Sequence, residues 1–347
     1  MTPPFELGHW HPILLDRDLG SRPKRVTLHG QDLVVFRTST GLGALDDTCP
    51  HRRARLSDGR VVADRLVCPY HGFRFDKAGL GESPGTPTVR AACRSWQVAL
   101  AWDAIWVRLD LGAQALHDLT PDASPTHKAP PLPTLGRPGF RHIGTLVHDV
   151  AAPLEPLVDN FCEVEHTPTT HALFGYREDA LATLDVRWSA DDTTVRVQNR
   201  GPQKPIPALV SRLFGVRGGD TFIDDWVVHF SPVHIVYDQG WEHPETGAPI
   251  ADAVHLGVFF VPIDRDETRL VTVLFSNRAP SRLPGVDALV QQILRGIVDR
   301  EVRLDQRQVE RLADPSPDLR GTRLGRFDAP LREHRKRIDR LYRGRPA

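Results

Sequence analysis

Cys49, His51, Cys68 and His71 stand in the text CPHRRARLSDGRVVADRLVCPYHGF as a Cys-x-His half and a Cys-x-x-His half, separated by 16 residues. Each half puts one thiolate and one imidazole on a loop between strand-like runs, so two such loops can face each other. Zinc accepts this ligand set, but the Cys-x-His half is shorter than the usual two to four intervening residues of a zinc half-site. A [2Fe–2S] cluster with mixed ligands instead takes two Cys on one iron and two His on the other, one of each from either loop. The spacing meets that demand. Two neutral imidazoles in place of thiolates raise the reduction potential to roughly −150 to +300 mV, which an ordinary ferredoxin or flavin donor can supply.

A second constellation follows in LVDNFCEVEHTPTTH, where Asn160, Glu163, His166 and His171 read N-x-x-E-x-x-H-x-x-x-x-H. Two neutral imidazoles and a carboxylate, with positions left open, form the facial triad of non-haem Fe(II) oxygenases. On an unbroken helix the two histidines would diverge by about 140° around the axis. Pro168 removes a backbone donor and biases Thr167 away from helical geometry, so a kink or helix end between the histidines is expected to bring both rings to one point. Asn160 is expected to support this site by hydrogen bonding rather than to ligate, and Cys93 and Cys162 to be small buried residues.

The third ligand must be a carboxylate from elsewhere. An apolar stripe of Val286, Leu289, Val290, Ile293, Leu294, Ile297 and Val298 continues through Val302 to Val309 and Leu312, which turns Glu301 and Asp305 inward and Asp299 to the polar face. An acid on a buried face is costly unless paired or metal-bound. Asp305 is the chosen ligand, with Glu301 as the alternative.

These groups need elements to hold them. VTLHGQDLVVF reads as a hairpin around Gly-Gln-Asp, and strand-like pieces at Leu66–Val67, Trp96 to Ala101 and Ile105 to Leu109 make the first third all-β. Six prolines in residues 120–139 suit an extended linker. The expected domains are therefore 1–119, the linker 120–139, and 140–347. In the last, strands Leu184 to Trp188 with Thr194 to Gln198, and Val254 to Ile263 with Leu270 to Phe275, are framed by two helical patterns. The first carries Leu154, Leu157, Val158, Phe161 and Val164, and the second is the long stripe above. The expected class is α+β, an all-β domain followed by an antiparallel sheet with helices in a helix-grip-like arrangement. With 44 basic and 44 acidic residues among 347, no net field would draw the chain to nucleic acid or an anionic membrane. No basic start with an apolar run and no stretch of about 20 apolar residues occurs, so a cytoplasmic protein is expected.

CPHRRARLSDG and CPYHGFRFDKAG resemble the two cluster loops of Rieske non-haem iron oxygenases, and WHPILLDRD with VTLHGQDLVVFRTSTGLGALDD is similar to the strands leading into them. The resemblance runs from about residue 8 to 340 and is weak between 175 and 285. It implies that Cys49 and Cys68 hold the inner iron and His51 and His71 the outer one. It implies further that Glu163 lies between the mononuclear iron and the cluster histidine of a neighbouring subunit, and that an acid on a C-terminal helix completes the site. Arg53, where the family often has Gly, and Glu163, where Asp is commoner, depart from the pattern. RFDAPLREHRKRI looks like the ending of the single-subunit monooxygenases and O-demethylases, whose head-to-tail arrangement implies a homotrimer.

Together these readings imply an oxygenase component acting with O2 on a small aromatic or cyclic molecule, by hydroxylation or oxidative demethylation. No Gly-rich loop follows a strand, so NAD(P)H would be oxidised by a separate ferredoxin or flavin reductase. The alternatives are a ring cis-dihydroxylase and, in another class, a Rieske electron carrier with a non-catalytic second domain. The substrate pocket is expected between the sheet and the framing helices, with Phe222, Trp226, Phe230, Phe259 and Phe275 as wall or core.

Overall fold

From Thr221 to Phe230 every second residue, Phe222, Asp224, Trp226, Val228 and Phe230, is buried, the period of two that a strand adopts when one face lies on a core. A computed structural model shows the fold this pattern belongs to. It describes residues 3–111, 132–250, 253–281 and 284–346. The described chain divides into two compact units, one running to Pro133 and taking in Val261–Arg265, the other comprising Thr134–Phe260 and the chain from Asp266 on. Residues 120–131 of the expected linker lie outside the described residues.

The first unit is all-β. Its strands are β1 (His11–Leu15), β2 (Lys24–Leu28), β3 (Gln31–Thr38), β4 (Gly41–Asp46), β5 (Arg60–Val62), β6 (Arg65–Val67), β7 (Arg74–Phe75), β8 (Leu80–Glu82), β9 (Arg90–Ala92), β10 (Ser95–Ala101) and β11 (Ala104–Arg108). They form a six-stranded sheet in the order β1-β11-β10-β4-β3-β2 and a five-stranded sheet β5-β6-β7-β8-β9. The β2–β3 hairpin turns at His29 and Gly30, both left-handed with φ of 50° and 70°, as a two-residue type I′ turn requires. The turn thus begins one residue earlier than the expected Gly-Gln-Asp, because Gln31 already pairs with Leu28.

The second unit is one antiparallel sheet carrying helices. Its strands, β12 (Arg141–Val150), β13 (Asp185–Ala190), β14 (Thr194–Pro202), β15 (Thr221–Phe230), β16 (Val233–Glu242), β17 (Val254–Pro262) and β18 (Thr268–Ser276), follow the order β12-β18-β17-β16-β15-β14-β13. The helices are α1 (Leu154–Asn160), α2 (Thr167–Thr170), α3 (Ala208–Phe214), α4 (Val286–Val309) and α5 (Leu331–Arg337). Leu294, Val302 and Val309 of α4 are buried as its stripe demands, whereas Leu289, Ile293 and Leu312 are exposed. The buried stripe therefore begins at Leu294, with Val290 partly buried against the same core. The first helical pattern also stops early: α1 ends at Asn160, with Phe161 and Val164 buried in the irregular segment beyond it. The α+β class holds, and among the described residues no helix is long and apolar enough to cross a membrane.

Two histidines in this unit are held neutral. Burial pushes His234 down to about 3, with His229 beside it adding to the effect, and its Nδ1 lies 2.8 Å from Pro232 O. Burial likewise pushes His334 down to about 3, helped by Arg335 and Arg337. An unfolded histidine takes its proton near pH 6.5, so as the pH falls the unfolded chain binds protons first. The stability these groups contribute is complete above about pH 6.5 and is lost on the way down to about pH 3. The thermal midpoint should fall between about pH 7 and about pH 5, and His334→Leu should flatten that slope in calorimetry. An unchanged slope would show that folded His334 titrates normally.

Candidate metal centres

Two loops of equal design project from the five-stranded sheet. Cys49 and Cys68 are buried in the core with Phe73, Phe75 and Leu66, while His51 and His71 are exposed at the tips. In each loop the residue four positions after the Cys donates its N–H back to the Cys carbonyl, Arg53 at 2.9 Å and Gly72 at 3.2 Å. Both are left-handed, with φ of 57° and 74°. Arg53 therefore keeps the backbone shape that a glycine adopts more cheaply. Asp47 anchors the first loop by accepting from Ser57 N–H and Oγ–H, each at 2.7 Å.

The two imidazoles face each other, their ring centroids 4.5 Å apart. Burial above all pushes the Cys49 thiol up to about 11, and the adjacent Cys68 thiol adds to the rise; positive charge at the sulfurs would reverse this. Among the described residues no three of the four donors come within 4.8 Å of one another. Ligands of one tetrahedral zinc stand roughly 3.5 Å apart. The wider spread suits a two-iron cluster, thiolates inside and imidazoles outside.

The second centre is tighter. His166 Nε2 and His171 Nε2 lie 3.0 Å apart, and Asp305 Oδ1 is 3.3 Å from the first and 3.5 Å from the second. Donors at adjacent positions around one ion with bonds of roughly 2.1 Å are about 3 Å apart. Asp305 Oδ1 is buried and has no hydrogen bond among the described residues, an orphaned charge that a cation would satisfy. Behind the two rings, Glu163 Oε1 is hydrogen-bonded to His166 Nδ1, and Glu301 Oε2 lies 3.1 Å from His171 Nδ1. A carboxylate bonded behind the ring, as Glu163 is behind His166, is the arrangement that turns Nε2 toward a metal, whereas His171 Nδ1 and the Glu301 carboxylate make no hydrogen bond among the described residues. Burial opposes charge on His166, yet Asp305 and Glu163 hold it up at about 10. The acids demand a positive charge at this point.

The local fold differs from the expected break at Pro168. That proline opens the short helix α2, with His166 as its N-cap and His171 as its extended C-cap. One turn of helix thus separates the two histidines. Glu163 bends back, one oxygen accepting from His166 N–H at 3.2 Å and also from Glu165 N–H. Asn160 lines the cavity, but its Nδ2 has no hydrogen-bond partner among the described residues, so the expected supporting bond is not made by that atom. Asp299 points away, accepting from Arg303 Nε at 2.9 Å. Cys93 and Cys162 are buried free thiols.

Lys204 gave no signal in the sequence. Its buried ammonium donates to Thr167 O at 2.8 Å and His171 O at 2.5 Å, gripping the α2 turn at both ends. Burial lowers its pKa, partly offset by Glu301. Lys204→Met should weaken mononuclear iron binding by roughly 10- to 100-fold, the usual cost of losing an outer partner, and leave cluster absorbance unchanged. Iron titration of the variant checks this, and parental affinity would contradict it.

The triad opens into a cavity of about 1030 Å³, counted with its mouth, between the sheet and α4. Phe222 and Trp226 line it; Phe230, Phe259 and Phe275 are buried without lining it. Val254, Leu256 and Val258 of β17 and Thr272 and Leu274 of β18 line the cavity, which leaves Phe259 and Phe275 on the opposite face. Phe230 lies on the right face but four residues beyond Trp226.

Residues 9–96 match the Rieske [2Fe-2S] domain family, and residues 150–344 match the vanillate O-demethylase oxygenase C-terminal domain family. The chain belongs to the Rieske non-haem iron oxygenases. This oxygenase is 30% identical over 303 residues to a 4beta-methylsterol monooxygenase of Methylococcus capsulatus, covering 83% of its own length and 73% of that protein. It is 30% identical over 234 residues to the oxygenase component of dicamba O-demethylase from Stenotrophomonas maltophilia, covering 64% and 63%. Of other curated relatives it spans only about a third. A solved structure of dicamba monooxygenase bound to 3,6-dichlorosalicylic acid superposes with a TM-score of 0.78 at 22% identity, covering 98% of both chains; that likeness speaks for the fold alone. The cofactors of the oxygenase are a Rieske [2Fe–2S] cluster and mononuclear non-haem iron, and both donor sets fit them.

Proposed function

We propose that the oxygenase takes electrons from a separate ferredoxin or flavin reductase and uses O2 to hydroxylate or oxidatively demethylate a small cyclic or aromatic molecule. The convergence of His166, His171 and Asp305 on the wall of a largely apolar cavity carries this reading. We assign Cys49, His51, Cys68 and His71 to the cluster, and His166, His171 and Asp305 to the iron. When bound, the cluster supplies electrons one at a time and the iron supplies the redox chemistry of dioxygen. The protein's own groups orient the site. Glu163 fixes the His166 ring, Glu301 lies against His171, Lys204 holds the intervening turn, and the apolar walls exclude water.

The names of the two relatives, a methylsterol monooxygenase and a dicamba O-demethylase component, support a monooxygenase outcome. One oxygen atom would enter a C–H bond of the substrate, and two electrons with two protons would take the other to water. A methyl ether so hydroxylated collapses to an alcohol and formaldehyde. Mass spectrometry after turnover in labelled O2 tests this: one labelled atom in a hydroxylated product, or formaldehyde released with an alcohol free of label, is expected, whereas two labelled atoms in a ring diol would mean dihydroxylation. We further propose the domain limits 1–119, 120–139 and 140–347, a homotrimer in which Glu163 faces the neighbour's cluster, and a cytoplasmic location.

A further inference from the structure

The floor of the cavity is a largely apolar sheet face whose polar residues include Thr272 on β18 and an acid and an amide on β15 and β16. Along β15 the inward residues are Phe222, Asp224 and Trp226, and their register partners on β16 are Trp241, Gln239 and Tyr237. One acid and one amide thus lie inside a frame of four aromatics. Asp224 is 7% exposed. Its Oδ1 accepts from Gln239 Nε2 at 3.0 Å, and among the described residues nothing donates to its Oδ2. A carboxylate oxygen in such surroundings is costly unless something bonds to it. Burial accordingly pushes Asp224 up to about 6.

Apart from the two histidines of the iron site and the ion they would hold, the charged groups of the lining are acids among the described residues. Glu163, Asp224, Glu301 and Asp305 contribute carboxylates, and among the described residues no lysine or arginine lines the cavity. Asp305 and Glu163 are engaged with His166, and Glu301 lies beside His171 at the iron site, its carboxylate oxygens without a hydrogen bond among the described residues. Asp224 is left facing the space a substrate would fill. A substrate carboxylate would meet repulsion there, whereas an O–H or N–H would complete the unpaired acceptor.

We propose that Asp224 is the polar anchor of the substrate site, and that the site takes an uncharged, largely apolar ring compound presenting one O–H or N–H donor to it. This rests on the reading of the cavity as the substrate pocket of the oxygenase. Gln239 acts through Asp224 as a positioning residue, holding one oxygen so that the other faces the cavity.

Calorimetric titration of the holoenzyme with three probes of one shape tests the assignment. 4-Methoxyphenol is neutral and carries a donor, 1,4-dimethoxybenzene is neutral without one, and 4-methoxybenzoate is an anion. The phenol should bind about tenfold more tightly than the diether, the worth of one hydrogen bond to a charged group, and the benzoate most weakly. Asp224→Asn should remove most of the phenol's advantage and improve the benzoate's standing, while diether binding stays unchanged and reports an intact pocket. The parental ranking needs no variant to fold. A benzoate that binds as well as the phenol, a phenol no better than the diether, or no binding by any probe would overturn the proposal, as would full phenol preference in Asp224→Asn. Binding is read without turnover, so a preference for the phenol with no O2-dependent product would refute the oxygenase reading and leave the anchor standing.

Discussion

Replacing Asp305 by Ala should take the protein from about three irons per chain to about two, with the cluster's visible absorbance unchanged and turnover reduced on the order of 10³-fold. That exceeds the roughly 10- to 100-fold expected for an outer partner, because among the described residues Asp305 is the one carboxylate whose oxygen lies within 3.5 Å of both Nε2 atoms. Glu301, four residues earlier on the same face of α4, approaches the far side of His171 instead. Glu301→Ala should therefore weaken iron binding only as an outer partner does. If Asp305→Ala kept its iron and Glu301→Ala lost it, the two acids would exchange roles.

Glu163→Gln should separate metal binding from turnover. The amide oxygen still accepts from His166 Nδ1, so about three irons remain, but the charge opposite the ring is gone and one acceptor for the backbone amides of Glu165 and His166 is lost. Turnover should drop by roughly 100-fold, and in a single-turnover experiment the reduced cluster should reoxidise correspondingly slowly. Reoxidation at the parental rate would remove Glu163 from any path between the centres and leave it a structural cap.

The sequence made some of this legible for a physical reason. The residues assigned to each centre are mostly close neighbours along the chain: Cys49 with His51, Cys68 with His71, His166 with His171, and Glu163 behind them. Short spacing constrains chemistry without knowledge of the fold. Asp305 was reachable because α4 runs unbroken from Val286 to Val309, so its apolar period could be counted through. Two positions of that stripe were over-read, since Leu289 and Ile293 are apolar yet exposed.

Tertiary contacts were harder. Lys204 follows β14 in a proline-flanked segment, and only the folded chain brings its ammonium to carbonyls more than thirty residues earlier. Asp224 carried a weak signal, an acid on the buried face of an alternating strand. Its partner Gln239 depends on the β15–β16 register. The break between the histidines was expected from Pro168, but a proline in the first turn of a helix starts it rather than ends it, and α2 is such a helix.

Iron and acid-labile sulfide quantification with electron paramagnetic resonance of the dithionite-reduced protein tests the central claim most directly. About three irons and about two sulfides per chain are expected, with a reduced signal from a cluster with mixed thiolate and imidazole ligands and ferrous iron outside it. Zinc in place of the cluster, or about two irons per chain with the His166–His171–Asp305 site not taking up added Fe(II), would contradict it.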